Sequence, residues 1–320
     1  MRRPRIVLAL LLGTGLFLIG LGLLARYYVF PNVAVLPIDR YEKTESRAVG
    51  ATYVDRSTGV QHTGRDLIAV NVMRGDVDAS TPDIAVWDSL TWTRDAASGD
   101  DVNFYNTTVA MERHTARAVN CCGHHIEGVG YLPRSGLAYQ WPFYTERTSY
   151  PFYDEVLRRT YPMRFERTDE LFGLDVYRFT QRIEPTKLED VEVPASIVGR
   201  PGTGTVDAER WYGVERTYWV EPRSGVVVKA GNHRRETLRV DGVDALTVFD
   251  ANVVLGDRDV RRIVAEARDA RVKIGLLHDT AYWGALGLGA LLIVFAGLVA
   301  LAREPEPAAA PAPLELAPVP

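Results

Sequence analysis

The chain is 320 residues long, 47% hydrophobic and 24% charged, with a formal net charge of -4. That length allows one large domain or two, and the mildly acidic balance excludes the basic surface that nucleic-acid binding requires. The two cysteines are adjacent, at Cys121 and Cys122, which excludes the disulfide framework of a small secreted scaffold.

The N-terminus carries Arg2, Arg3 and Arg5, followed by an apolar run from residue 6 to residue 25 broken only by glycines and Thr14. A cleaved signal peptide usually has an apolar region of about 7–15 residues and an A-x-A-like site, and neither matches here. An uncleaved signal anchor over 6–26 is the expectation. Three arginines before it against Arg26 after it place residues 1–5 in the cytoplasm and the middle of the chain, 27–280, outside. Cleavage would not change that orientation, because a second span still holds the chain.

Residues 27–280 read as one extracytoplasmic domain made mostly of strand. Runs rich in β-branched and aromatic residues at 66–73, 83–93 and 102–112 are bounded by turn-forming residues, and 95–101 joins the last two as a hairpin. Further strands are expected at 174–183, 216–221, 226–230, 234–240 and 245–254. Pro222-Arg223-Ser224-Gly225 closes a hairpin between 216–221 and 226–230. Short spacing between strands implies antiparallel pairing, as a meander, a curved sheet or a partial barrel. The glycine-rich stretch 194–205 lacks the Lys-Ser/Thr pair of a phosphate loop and reads as a surface loop.

At 259–277 the period changes. Val260, Ile263, Val264, Ala267, Ala270, Ile274 and Leu277 fall at helical spacing, which predicts an amphipathic helix packed on the sheet; a helix lying in the membrane interface is the alternative. Residues 281–302 then run without a charge, opening on Tyr282 and Trp283. At about 1.5 Å rise per residue such a helix crosses the roughly 30 Å apolar core of a bilayer, and it has no polar face for water. Arg271 and Lys273 against Arg303 pull its orientation weakly the other way, and the first span dominates. Gly284, Gly287 and Gly289 are expected to pack against Gly13, Gly15 and Gly20 of the first span. The tail, 303–320, alternates proline and alanine and is expected to stay extended and disordered in the cytoplasm. The fold class is therefore an α+β membrane protein: N- and C-terminal transmembrane helices flank a β-rich antiparallel extracytoplasmic domain with a C-terminal amphipathic helix.

Chemistry-bearing motifs are few. Cys121-Cys122-Gly123-His124-His125 offers thiolates and imidazoles, but neighbouring residues converge poorly on one tetrahedral zinc ion. Cys121 and Cys122 are candidates for a vicinal disulfide, with free thiols or a metal or redox role as the alternatives. Trp141, Phe143, Tyr144, Tyr150, Phe152 and Tyr153 lie in a proline-broken aromatic segment, 139–165, where they are placed on loops or strand ends. They either line an apolar ligand groove, stand at the membrane surface or form a small satellite core. No G-x-S-x-G, H-E-x-x-H or dinucleotide fingerprint occurs, so no catalytic residue, cofactor or metal is expected. Asn106-Thr107-Thr108 matches a glycosylation acceptor by chance.

Taken together, the two spans, the segments TERTSYPFYD and LFGLDVYRFTQRI, and the hairpin TYWVEPRSGVVV resemble the actinobacterial porin PorA family, over roughly residues 5 to 302. The Tyr-Trp-Val-x-Pro-x-x-Gly hairpin at Tyr218–Gly225 is the most specific of these. The family name implies a channel, whereas a membrane barrel needs repeated strands of about ten residues with an apolar outer band. The residues themselves favour a non-enzymatic envelope protein, anchored in the plasma membrane, whose outer domain binds or positions an apolar ligand, a lipid or a protein partner. A subunit of an oligomeric channel and an enzyme without a recognised motif are the alternatives. Oligomeric state is left open.

Overall fold

A computed structural model describes residues 3–130 and 132–302. Arg2 and the Pro/Ala-rich tail from residue 303 lie outside the described residues. The rest of the chain forms two compact units, the described parts of Met1–Phe30 with Leu276–Pro320, and Pro31–Gly275.

In the first unit, helix α1 (Arg3–Leu24) continues through a wide π turn, Ala25–Val29, into the short α2 (Phe30–Val33). Its partner is the C-terminal helix of the chain, Ala281–Leu301, itself preceded by a π turn at Leu276–Thr280. Both helices are apolar all round, and both are long and apolar enough to cross a membrane. They meet at two glycines: a Cβ on Gly15 would sit 2.8 Å from the Gly289 carbonyl oxygen, and one on Gly289 would sit 2.6 Å from that of Gly15. Gly22 makes a looser approach to Ala285. Gly13, Gly20, Gly284 and Gly287 face open space, so of the glycine contacts expected from the sequence only the Gly15–Gly289 approach forms. Above it, the Arg26 guanidinium lies 4.7 Å from the Tyr282 ring, and Tyr27 and Trp283 complete an aromatic collar.

The second unit is a single curled antiparallel sheet. Its strands are β1 (Tyr41–Val54), β2 (Gln61–Gly75), β3 (Ile84–Asp95), β4 (Asp101–Glu112), β5 (Ala118–Val119), β6 (His125–Ile126), β7 (Tyr150–Asp154), β8 (Arg159–Leu171), β9 (Leu174–Pro194), β10 (Thr205–Val220), β11 (Val227–Val240) and β12 (Val243–Leu255). The spatial order is β5-β4-β3-β2-β1-β12-β11-β10-β9-β8-β7, with β6 against β4, so the first and last long strands are neighbours at the centre. The two edges of the sheet approach each other through Leu137, which bridges Arg117 on one side and Phe152 on the other.

Several strands run longer than their sequence signals. Residues 226–230 and 234–240 form one strand, β11, and β9 extends to Pro194, because charged residues that look loop-like pair across strands. Lys187 meets Glu209 at 2.8 Å, and Arg210 meets Glu236 at 2.7 Å. β1 has no apolar run to announce it. The prolines placed on loops are partly within strands, where Pro151 in the edge strand β7 lies opposite Pro162 in β8.

Helix α3 (Asp257–Gly275) covers the outer face of β9 to β12, burying Val260, Ile263, Val264 and Ala267 against Leu174, Val176, Val228 and Leu255. Each larger side chain contributes about 2 kcal/mol by leaving water. Asp259, in its first turn, accepts the Glu45 backbone N–H at 2.8 Å and ties the helix start to β1.

The turn after β10 is held by the aromatic segment. Trp141 N–H donates to the Gly225 carbonyl at 3.0 Å, Tyr144 N–H to that of Arg223 at 3.1 Å, and Thr145 N–H to that of Pro222 at 2.7 Å. Gly225 has φ of +71°, and a Cβ there would meet the Trp141 carbonyl oxygen at 2.0 Å. Only glycine allows this docking, which gives the Tyr218–Gly225 motif a physical reason.

Candidate functional site

Side chains alternate across a strand, so every second residue points into the curl. Followed along each strand, these inward rows change chemistry at a common level. In β3 they read Ala85, Trp87, then Ser89, Thr91, Thr93; in β4, Met111, Val109, then Thr107, Tyr105, Asn103. In β10 they read Val220, Tyr218, then Arg216, Val214, Tyr212. The apolar ends gather with Leu36, Leu137, Trp141, Phe152, Met163 and Phe179 into a dry plug of fully buried side chains. Trp141 is completely buried, its ring 5.3 Å from that of Phe179 and 5.7 Å from those of Phe152 and Tyr218.

Beyond the plug the polar rows line a half-open cavity of about 310 Å³, within the range of small-molecule sites. Its wall comes from β2, β3, β4, β7, β10, β11 and β12 and the 138–139 and 155–156 loops. Apolar contact is offered by Phe152, Phe249, Val214 and Val253, and five tyrosines (105, 139, 153, 212 and 218) surround it with phenols. Asn71, Ser89, Thr91, Thr93, Asn103 and Asn232 supply amides and hydroxyls.

The charged groups of this wall are held by neighbours. Arg216 donates to Asp154 at 2.7 Å and to Gln181 at 2.6 Å, and Tyr212 O–H donates to the same fully buried carboxylate at 2.9 Å. Glu155 accepts from Tyr105 O–H at 2.9 Å and from Thr107 at 3.2 Å, and pairs with the buried Arg134 at 3.1 Å. Arg234 pairs with Glu236, which Arg210 also contacts. Burial pushes the Glu236 carboxyl up, but Arg234 and Arg210 outweigh it and hold the group below its ordinary value. Burial, first among the causes, pushes the phenols of Tyr105, Tyr139, Tyr153, Tyr212 and Tyr218 above the usual tyrosine range. These phenols therefore stay neutral at physiological pH, with Tyr105 and Tyr212 donating to Glu155 and Asp154.

Of the six aromatics singled out in the sequence, Phe152 and Tyr153 line the cavity. Trp141 is in the plug, Tyr150 packs against its edge, and Phe143 and Tyr144 are half-buried beside the docked hairpin. Cys121 and Cys122 are bonded to each other, with Cys122 at a φ of +59°. They sit in a loop closed by Asn120 and Arg134, which exchange hydrogen bonds of 3.1 and 2.7 Å. His124 in that loop contacts backbone carbonyls of Cys121 and Leu132. Among the described residues no cluster of three or more His, Cys, Asp or Glu side chains is placed to hold a metal ion. Most of the cavity wall went unnoticed in the sequence; the available signal was the run of Ser89, Thr91 and Thr93 alternating with Leu90 and Trp92, a strand polar on one face and apolar on the other.

The family described as Porin PorA matches residues 8–299 of this chain. Among curated relatives, a Porin PorA of Corynebacterium amycolatum is 29% identical over 120 residues, covering 30% of this chain and 31% of the relative. A Porin PorA of Corynebacterium resistens is 26% identical over 147 residues, covering 31% of this chain and 36% of the relative. The chain thus spans about a third of the length of the curated relatives it matches.

Proposed function

The chain belongs to the Porin PorA family, and from that premise we propose that it is a two-pass, non-enzymatic envelope protein whose curled sheet binds a small amphipathic ligand. The observation that carries this reading is the 310 Å³ cavity with a mixed apolar and neutral polar wall. A packed interior would have nothing to bind. The proposed topology, with both termini cytoplasmic and residues 27–280 outside, follows from Arg2, Arg3 and Arg5 on the near flank of the first span. Thr91→Trp, which projects an indole into the cavity, tests the reading. Native mass spectrometry of the purified full-length protein should show a bound small molecule that this variant loses; equal occupancy in both would overturn it.

One observation favours the channel reading. On β2 to β4 the polar row faces in, while Leu90, Trp92 and Phe104 face out and are 38%, 39% and 54% exposed, the alternation of a pore wall. Against it stands the plug, because Trp87, Met111, Trp141 and Phe179 fill the interior beside the cavity with buried apolar side chains, where a conducting pore needs a polar lining. Planar-bilayer recordings of the purified protein separate the two. Single-channel steps abolished by Thr91→Trp would establish the channel and sink the binding reading.

A further inference from the structure

The charge that a ligand can touch around the cavity is unevenly placed. A smaller recess of about 40 Å³ adjoins the cavity, and the two share Asn103, Arg234 and Phe249 in their walls. The recess adds Arg56, from the turn after β1, and Glu236. Arg56 is exposed and makes no hydrogen bond or ion pair among the described residues. Its neighbour Asp55 is engaged within the same turn, accepting the Ser57 N–H and the Ser57 hydroxyl, each at 2.7 Å.

Arg234 is fixed in place, yet part of it stays open. Its guanidinium carbon lies 5.7 Å from the centre of the Tyr212 ring and 5.5 Å from that of Phe249. Nε, at 2.6 Å, and Nη2 both donate to Glu236. The side chain is 32% exposed, and Nη1 has no partner among the described residues. Glu236, by contrast, is 2% exposed and also holds Arg210 at 2.7 Å. Arg210 has a second acid, Glu189, at 3.1 Å, so three guanidinium groups, those of Arg56, Arg210 and Arg234, share two carboxylates. The accessible charge of the recess is therefore positive.

The main cavity has the opposite bias. Its acid, Glu155, has a side chain 23% exposed and lines the cavity but not the recess, so an anionic group is repelled from the depth and drawn to Arg56 and Arg234. A guanidinium stays protonated and donates charge-assisted hydrogen bonds to such a group. Size narrows the choice: at about 10–15 Å³ for each water-sized group, a recess of about 40 Å³ takes three, which suits a carboxylate and is tight for a phosphate. Asn103, at the junction, makes no side-chain hydrogen bond among the described residues and has an amide N–H to donate. Beyond it Phe152, Val214 and Val253 offer apolar contact.

We propose that recess and cavity together form a site for an amphipathic carboxylate, its head at Arg56 and Arg234 and its apolar body against Phe249, Phe152, Val214 and Val253. The proposal rests on the reading of the cavity as a ligand site and names the chemistry that the site selects.

The test is calorimetric titration of the full-length protein in phosphatidylcholine nanodiscs, with empty discs as the reference and octanoate, octanol, octylammonium and inorganic phosphate as probes. Octanoate should bind saturably, and octanol about tenfold more weakly. Arg56→Gln should cut the preference for octanoate over octanol severalfold and leave the unfolding midpoint unchanged, since Arg56 has no partner to lose among the described residues. Arg234→Gln should weaken octanoate about tenfold. The Arg56 variant keeps the proposal open to refutation if Arg234→Gln does not fold. An unchanged preference in Arg56→Gln would overturn the placement of the head. Octanol binding as tightly as octanoate, with both lost in Thr91→Trp, would overturn the carboxylate assignment and leave the cavity a ligand site. A preference for octylammonium would overturn it in favour of a cation held at Glu155, and phosphate binding as tight as that of octanoate would overturn the part given to the apolar body. No binding of any probe, together with no bound molecule in the native protein, would overturn both the carboxylate assignment and the reading beneath it.

Discussion

The two ends of the sheet interior are built from the same strands and obey different rules. At the plug, Trp87, Met111, Trp141 and Phe179 exclude water and stabilise by burial; at the cavity, Thr91, Asn103, Tyr105 and Arg216 hold polar groups in place by hydrogen bonds and ion pairs. The lesson is that a strand's inward row has no single character. One strand can supply core at one end and a binding wall at the other. Stability should therefore concentrate at the plug, and selectivity and pH sensitivity at the cavity.

The largest effect should come from Trp141→Ala, which removes the ring at the centre of the plug. A loss of about 4 kcal/mol is expected, measured by denaturant unfolding of the full-length protein and followed by circular dichroism. A loss below about 1 kcal/mol would break the contrast. Gly225→Ala should cost about 3 kcal/mol in the same assay, because the new methyl group meets the Trp141 carbonyl in a left-handed backbone conformation. By comparison, Thr91→Val at the cavity gives up one of the hydroxyls that Asn71 contacts, at 2.9 Å, and should shift stability by about 0.5–1 kcal/mol.

Packed and open positions can also be set against each other in the helical pair. Gly15→Leu should abolish disulfide crosslinking between cysteines introduced along the two helices, while Gly13→Leu, which faces open space, should leave it intact. Equal crosslinking in both variants would refute the Gly15–Gly289 contact.

The smallest and most specific effect concerns acid at the end of β3 that borders the cavity. Asp95 is fully buried and binds Arg65 at 2.6 Å, Tyr53 at 3.0 Å, and the Ala97 amide of the following turn at 2.8 Å. The hydrogen bond from Arg65 holds its carboxyl well below the usual carboxylate range; burial opposes this, and the Ala97 and Ser98 amides add to it. A carboxylate with a depressed value in the folded state contributes stability above its unfolded value of about 3.9 and loses it as pH falls below that. The unfolding midpoint should drop below about pH 4, and Asp95→Asn should flatten that limb. On the alkaline side Tyr53, pushed up to about 12 mainly by burial and then by Asp95, should favour the folded state up to about pH 10 and lose that contribution as pH rises toward 12.

How much of this was legible follows from what each element buries. α3 was legible because its helical period is unambiguous, the C-terminal apolar helix because it runs without a charge, and the hairpin at Pro222–Gly225 because its turn residues are strong. β1 was not, since Glu42, Lys43, Glu45 and Arg47 give it the look of a solvated loop although β2 and β12 flank it. The cavity was hidden for two reasons. Its wall draws on strands far apart in the chain, and in β3 the apolar row of Leu90 and Trp92 faces outward, so the rule that the apolar face marks the interior points the wrong way. The aromatic segment was conspicuous, but its prolines concealed β7 and β8, and only Phe152 and Tyr153 of the six singled out reach the cavity.

The pairing of β1 with β12 sets the order in which the unit can be assembled. Ser46 lies opposite Leu255, so the first long strand to be synthesised finds one of its two neighbours only after the last has been made. Until then one flank of β1 presents unpaired backbone groups, a ready template for a wrong strand. Synthesis must therefore run to the end of β12 before the sheet can be sealed, and a chain stalled short of residue 255 would be a candidate for misassembly and proteolysis.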